Sequence, residues 1–406
     1  MTMNSFRNLF PAIASGRART YLDNAAMTQI AKPVTDRMAE FEADGRSNVK
    51  RGIYPLATRA NDAFEAARAS VAAFMGAKDK DEVIFTSGAT AAINLVAHAY
   101  GAGLKSGDEI MVGEGEHHAN IVPWQMLCER KGLELVVLPV DGDGHLQIEK
   151  MVDLISDRTR LIAVTHGSNV TGAVTDVRII TSMARKRGIP VLIDGAQRAG
   201  HGPVDVASIG CDFYVLSGHK MFGPTGIGAL WARSELLQDL PPFLGGGEMI
   251  TRVSFDGTEF APPPHRFEAG TPPVTQAIGL GAAADWLRGL EWAEITTAER
   301  ELTQSLLDVL NQHKRIAVWD PMGVAAGKVP RLPILSFTVE GAHPHDICEV
   351  MGGEGVALRG GHHCAQPLMS AFGVDATTRA SLALYNDETD IEAFDKAITR
   401  MLKVLS

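Results

Sequence analysis

Lys220 closes the apolar run CDFYVLSGHK (211–220) and is followed by MFGPTGIG. An amine placed straight after a buried strand is poorly solvated. Its pKa falls and it becomes a nucleophile or Schiff-base former; the bland alternative is a lysine on a surface loop. Glycines at 218, 223, 226 and 228 allow the backbone to approach something closely there. Asp194 closes the preceding run, VLID. Most such residues cap a turn, but a carboxylate at a sheet edge can also keep a ring nitrogen protonated. Gln197, three residues on, can donate to a neighbouring oxygen. TSGAT (86–90) leaves a strand and opens a helix, where backbone N–H groups and the Thr90 hydroxyl suit a phosphate; a simple cap is the commoner use of such a residue. Ser217 and His219 can add phosphate contacts. His117, in EGEHH, can stack on a ring and move protons, and with a second histidine beside it metal ligation or plain polar surface stay open. A phosphate-binding turn, a strand-end Asp and a Lys on the next strand, in that order, form the set that pyridoxal phosphate requires.

The elements that must carry these residues are legible as alternating runs. EVIFTSG (82–88), DEIMVGEGEHH (108–118), LELVVLPV (133–140), RLIAVTHGSN (160–169), IPVLIDGAQ (189–197) and CDFYVLSGHK read as strands. Their near-continuous apolar content predicts a parallel sheet covered on both faces. Helical patterns lie between them at 89–100, 120–132 and 176–188. Alternation of this kind means a doubly wound α/β sheet, whose ligands sit beyond the strands' carboxyl ends. The Gly- and Pro-rich stretch 241–274 reads as extended loop. It is followed by a long helical pattern at 275–313, a smaller α+β unit that includes PRLPILSFTVE (330–340), GVALRGGHHCAQP (355–367) and RASLALY (379–385), and a last helix at 389–405. The expected division is a large cofactor domain over 20–290 and a small domain made of 1–19 and 291–406.

The formal charge of −10, without any Lys/Arg-rich run, argues against a nucleic-acid surface. Four cysteines (Cys128, Cys211, Cys348 and Cys364) at long, irregular spacings fit neither a disulfide framework nor a zinc ribbon. Reduced thiols in the cytoplasm are expected. The first twenty residues lack the apolar core of a signal peptide, and no run approaches the roughly 20 apolar residues of a membrane span. The GxGxxA-like stretch from Gly279 to Ala284 lies in a helical pattern and follows no strand, so it fails as a dinucleotide fingerprint.

YLDNAA (21–26), EHHANIVPW (116–124), THGSNVTG (165–172), DGAQ (194–197), SGHKMFGPTGIG (217–228), RFEAGTP (266–272) and RGGHHCAQPL (359–368) together resemble the SufS/CsdA branch of cysteine desulfurases. These are class V aminotransferase-like, fold-type I enzymes with a large domain, a mostly parallel seven-stranded sheet and a smaller α+β domain. The resemblance runs almost end to end in order and spacing. It implies that Lys220 is the Schiff-base lysine, that Asp194 pairs with the pyridine nitrogen, that Gln197 meets the ring oxygen and that His117 stacks on the ring. The Ala89 backbone, Thr90, Ser217 and His219 would hold the phosphate. Thr271 would reach the phosphate of a neighbouring subunit, which implies a homodimer. Asn169, Arg359 and Arg379 would hold the substrate carboxylate and its surroundings.

Read by itself, Cys364 is a loop thiol. HHC also admits a metal reading, but no companion ligands stand at convincing spacing and no metal is expected. Gly360 and Gly361 are expected to make the loop mobile, and the two histidines to assist deprotonation. The resemblance makes Cys364 the sulfur acceptor in an enzyme that converts L-cysteine to L-alanine, with a small SufE- or SufU-like protein taking the sulfur onward. Rival readings on the same scaffold are a selenocysteine lyase, a cysteine-sulfinate desulfinase and an epimerase-like relative; a non-catalytic sulfur carrier is a fourth. Cys364 favours desulfuration, because release of selenide or sulfinate needs no protein thiol. The chain departs from the subgroup at Lys50 and Tyr54, where histidines are usual, and at Pro273, where Asn is usual.

Overall fold

The computed structural model describes residues 6–17, 19–319 and 331–405. After a short first strand, β1 (Thr20–Tyr21), the apolar runs form β2 (Val83–Thr86), β3 (Glu109–Gly113), β4 (Glu134–Leu138), β5 (Thr159–Thr165), β6 (Val191–Asp194), β7 (Phe213–Ser217) and β8 (Gly228–Ala232). They build one seven-stranded sheet in the order β2-β8-β7-β6-β5-β3-β4. Pairing is parallel from β4 through β7, and β8 runs antiparallel to both its neighbours. The continuous apolar runs have the expected cause, since alternate residues of one strand enter different cores. Tyr214 and Leu216 of β7 pack on one side of the sheet with Ile193 and Val164. Phe213 and Val215 pack on the other with Leu192 and Ala163. The helices Ala89–Ala99 and Val122–Lys131 contribute Ile93, Val96, Trp124 and Leu127 to the second core, and Val177–Arg185 contributes Val177 and Ile180 to the first.

Two expectations need correction. The stretch 241–274 is not all loop, because it carries an antiparallel hairpin of β9 (Ile250–Ser254) and β10 (Gly257–Phe260), with Phe255 and Asp256 at the turn. Its side chains are exposed on both faces, so there is no burial periodicity to read. The helical pattern over 275–313 is two helices, Val274–Arg288 and Trp292–Asn311, interrupted at Gly289. Glycine is about 1 kcal/mol poorer than alanine inside a helix, and the same apolar period resumes after it.

The remaining strands, β11 (Ile316–Val318), β12 (Ile334–Val339), β13 (Val356–Ala357), β14 (Arg359–Gly361) and β15 (Thr377–Ser381), form a second unit. Its antiparallel sheet runs β11-β12-β15-β14, while β13 pairs in parallel with β1. Helices Trp292–Asn311, Pro344–Gly353 and Glu388–Val404 cover it, with Leu306, Ile347, Phe337 and Phe394 in a core of its own. The strand expected to begin at Pro330 has its start outside the described residues.

A buried ion pair ties the long helix Pro55–Met75 to the segment before Val274. Arg68 donates to both oxygens of Glu268 (2.5 and 2.9 Å) and to the Val83 carbonyl (2.9 Å), with its guanidinium against the Phe64 and Phe85 rings. Lys50 lies here too, its amine 3.7 Å from Glu268. Removing one partner of such a pair strands a buried charge, at a cost of roughly 3–5 kcal/mol. Glu268→Ala is therefore expected to lower the urea midpoint of the protein markedly, whereas Glu40→Ala, which breaks only the exposed Arg37–Glu40 pair, should leave it almost unmoved.

Candidate active site

The parallel sheet brings three chain segments to one edge. Thr165 of β5 lies beside Asp194 of β6, and Asp194 beside Val215 of β7. Two residues further along, Ser217 ends β7, and one 3₁₀ turn later comes Lys220. A cavity of about 270 Å³ opens beyond that edge, and its walls include Lys220, Asp194, Gln197, Ser217, His219, Ala89, Thr90, His117, Asn169, Arg359, Arg379 and Cys364. Of the candidate catalytic, cofactor-binding and substrate-binding residues, Thr271 alone is absent from this wall. It is exposed and lines a separate, mainly apolar cavity with Phe85, Leu244 and Phe267. Lys50 and Tyr54 also stand outside the first cavity; Tyr54 pairs with Ser47 through their hydroxyls (2.9 Å).

The helix Ala89–Ala99 begins at Gly88, whose φ of 143° is closed to L side chains. Its capping is supplied from another strand, since the Ala89 N–H donates to Ser217 Oγ at 2.9 Å. Thr90 is therefore not the cap, and its side chain is exposed beside the cavity. The glycines around Lys220 do allow close backbone approach, and what they approach is the chain itself. A Cβ on Gly218 would stand 2.7 Å from the Pro224 carbonyl oxygen, and one on Gly228 2.6 Å from Gly88 Cα. These glycines fold the loop onto itself and let β8 approach the helix start.

Electrostatics sort the titratable groups. Burial lowers Lys220 to about 8, opposed by Asp194 and assisted by Arg379. Part of its surface faces the cavity, but protein encloses the amine elsewhere. Asp194 is buried and raised for the same reason, although the Ala196 N–H bonds its carboxylate at 2.9 Å. His117 is pushed down to about 3, first by burial and then by Lys220. Its Nδ1 accepts the Ala119 N–H (3.0 Å), so the neutral ring carries its proton on Nε2. Gln197 donates to the Ala25 carbonyl at 2.7 Å.

Cys364 is exposed, while Cys128 and Cys211 are buried and Cys348 is half-buried. The loop that carries Cys364 differs from expectation. Gly360 and Gly361 belong to paired β14, where a Cβ on Gly360 would meet the Pro344 carbonyl oxygen at 2.7 Å. Gly360 thus serves close packing, while Gly361 supplies a backbone angle (φ 133°) that L side chains rarely adopt. His363 and Cys364 both have left-handed φ values (53° and 54°). Several bonds hold them there. The Cys364 carbonyl accepts the His118 N–H (2.6 Å), the Cys364 N–H donates to His362 Nδ1 (3.1 Å), and the His363 carbonyl accepts from Asn169 Nδ2 (2.7 Å). The His363 ring bonds to Thr377. Both histidine rings thus have backbone or threonine partners.

Sequence reasoning gave no role to two carboxylates. Asp23, inside YLDNAA, receives Arg359 (3.0–3.2 Å) and Arg379 (3.2 Å). Glu116, inside EHHAN, is fully buried and raised to about 8 by burial. Its oxygens accept the Thr165 N–H (2.8 Å) and Asn120 Nδ2 (2.7 Å), and Asn120 in turn accepts from Trp124 (3.0 Å). That chain fixes the turn bearing His117 against the end of β5. The available signal was an acid beside each motif; what each acid touches depends on contacts distant in sequence.

Residues 20–394 match the aminotransferase class-V family. The chain belongs to this family. It is 44% identical over 391 residues to a probable cysteine desulfurase of Xylella fastidiosa strain 9a5c, covering 96% of this chain and 92% of that one. It is likewise 44% identical over 393 residues to a cysteine desulfurase of Salmonella gallinarum, covering 96% and 95%. In structure this class-V chain is similar to the cysteine desulfurase CsdA, in an S-sulfonic acid form, from Escherichia coli, with a TM-score of 0.92, 38% identity and full coverage of both chains. The apo cysteine desulfurase of Thermococcus onnurineus NA1 superimposes with a TM-score of 0.93 at 34% identity, covering 98% of each. The fold is accordingly that of the fold-type I enzymes.

Among the described residues, no group of three or more His, Cys, Asp or Glu is arranged to hold a metal ion, and no helix is long and apolar enough to cross a membrane. The lowered Lys220 amine gives a direct expectation for cofactor-free protein. Above about pH 8 it is mostly uncharged, whereas exposed lysines stay protonated to about 10.4. Labelling with an amine-acylating reagent, followed residue by residue by mass spectrometry, should show Lys220 half-maximal about two pH units below the surface lysines.

Proposed function

We propose that this class-V enzyme is a pyridoxal-phosphate-dependent cysteine desulfurase, converting L-cysteine to L-alanine and taking the sulfur as a persulfide on Cys364. The observation that carries the reading is that Lys220, Asp194 and Cys364 line one cavity. Its donor set fits the cofactor. Lys220 offers an amine free to attach the aldehyde, and Asp194 a buried carboxylate for the pyridine nitrogen. Gln197 would meet the ring oxygen, and the neutral His117 ring is suited to stacking. The Ala89 backbone, Thr90, Ser217 and His219 form a cradle for the phosphate at a helix start. When bound, pyridoxal phosphate supplies an electron sink for negative charge at the substrate Cα.

The chain's own groups do the rest. Arg379 and Asn169, with Arg359, take the substrate carboxylate. Lys220 Nζ, uncharged for part of the time near neutral pH, accepts the Cα proton. Cys364 Sγ, as thiolate, attacks the substrate sulfur. The S–S bond forms as the Cβ–S bond breaks, the bonding pair stays with carbon, and protonation there yields alanine. Cys364 on the cavity wall supports desulfuration over selenocysteine lyase or cysteine-sulfinate desulfinase activity, neither of which needs a thiol of the protein.

The same reading includes a cytoplasmic homodimer that passes sulfur to a small SufE- or SufU-like protein for iron–sulfur cluster or related biosynthesis. Thr271, exposed beside an apolar cavity and near the exposed Leu244, supports a subunit contact in which it reaches the neighbour's phosphate. The expected domain division at about 290 is kept as part of this proposal.

Purified protein should be yellow, and borohydride should fix the cofactor covalently on Lys220, as read by peptide mass. Cys364→Ala should keep the colour yet lose alanine release from cysteine by at least about tenfold, since the group that receives sulfur is gone. Release at the wild-type rate by this variant would sink the persulfide mechanism. Comparing cysteine, selenocysteine and cysteine sulfinate as substrates decides among the alternatives.

A further inference from the structure

Arg359 and Arg379 stand directly opposite each other on β14 and β15. Two like charges in that position repel and would splay apart without a mediator. Asp23 is the mediator. Its Oδ1 accepts from Arg359 Nε (3.1 Å) and Arg379 Nη2 (3.2 Å), and its Oδ2 accepts from Arg359 Nη2 (3.0 Å). The two arginines differ in freedom. Arg379 is 2% exposed, while the Arg359 side chain is 49% exposed. Burial leaves Arg379 with little choice of position, but Arg359 without an anchor would turn to water.

Asp23 is itself rigidly placed. It bridges to Ser381 at the end of β15. The next residues are pinned to the same point, with Asn24 Nδ2 donating to the Ser381 carbonyl (2.7 Å) and the Ala25 N–H to Ser381 Oγ (2.8 Å). Arg379 also donates from Nη1 to the Asn169 carbonyl (2.8 Å), and its Nε is buried without a partner. The guanidinium on the cavity wall is thus held from two sides and keeps one donor in reserve.

We infer that Asp23 is a positioning residue. It locks Arg359 and Arg379 into a single carboxylate grip, and so sets how well the cavity distinguishes an amino acid from the same molecule without its carboxylate. This rests on the reading of the cavity as an amino-acid site, and sharpens it. A counter-charge without a positioning role would act in the opposite direction. Removing a negative charge beside a carboxylate site should by simple Coulomb attraction tighten carboxylate binding; removing an organiser should weaken it.

The test uses holoenzyme and two non-reacting probes, L-alanine and L-alaninamide, titrated by the absorbance of the bound cofactor. Asp23→Asn should bind L-alanine about tenfold more weakly, with L-alaninamide changed less than about twofold and cofactor content unchanged. With L-cysteine, KM should rise by a similar factor and kcat should fall far less. Asp23→Glu, which keeps the charge, should recover much of the loss and guards against a folding artefact. Equal or tighter L-alanine binding by Asp23→Asn overturns the inference, as does an equal loss for both probes. Failure of the desulfurase reading would look different. The wild type would then bind L-alanine in preference to its amide, and lose that preference with Asp23→Asn, while releasing no alanine from cysteine.

Discussion

The site depends on the parallel register of β5, β6 and β7. Parallel strands all end at one edge of a sheet, so residues separated by dozens of positions in the chain finish within reach of one another. Thr165, Asp194 and Ser217 are such residues, with Lys220 one turn beyond. A shift of one residue in β6 would turn Asp194 to the opposite face of the sheet. The alternation of Tyr214 and Leu216 against Phe213 and Val215 into separate cores prevents a similar slip in β7. Packing on both faces of the sheet thereby fixes the distance between an amine and a carboxylate that lie 26 positions apart in the sequence.

Burial by those cores gives the chemistry its bias. It lowers Lys220 toward neutrality and raises Asp194, because each would shed its charge in an apolar setting. Their mutual attraction works against both shifts. A protonated ring nitrogen placed at Asp194 would give the buried carboxylate a charged partner and so favour its ionised form. His117 follows the same logic with the opposite outcome. A neutral imidazole presents a flat, uncharged face to a ring, and the Ala119 N–H on Nδ1 fixes which nitrogen bears the proton.

Much of this was legible in the sequence. The strand ends, Lys220, Asp194 and the helix start at 89 all came from local patterns: apolar run, then polar residue, then glycine. What stayed hidden has a common physical cause. Asp23 lies 336 positions from Arg359, and Glu116 49 positions from Thr165, so neither contact leaves a periodic trace. The break at Gly289 was missed because the apolar period continues across it, and the β9–β10 hairpin because its side chains face water on both sides. Cys364 owes most of its assignment to family resemblance, since nothing in its neighbours' spacing demands a nucleophile.

The Cys364 loop is held in place from outside itself. Two successive non-glycine residues in left-handed backbone are costly, and such conformations persist only where their surroundings hold them. Here the holding groups come from other parts of the site. Asn169 grips the His363 carbonyl, and His118, the neighbour of His117, donates its backbone N–H to the Cys364 carbonyl. Asn169 in turn accepts from Arg379, which is tied to Asp23. The residue bearing the thiol, the turn bearing His117 and the buried Arg379 are therefore one bonded network spanning the large sheet and the small one. The position of Cys364 is therefore held by contacts with the assembled cavity and not by its own loop alone.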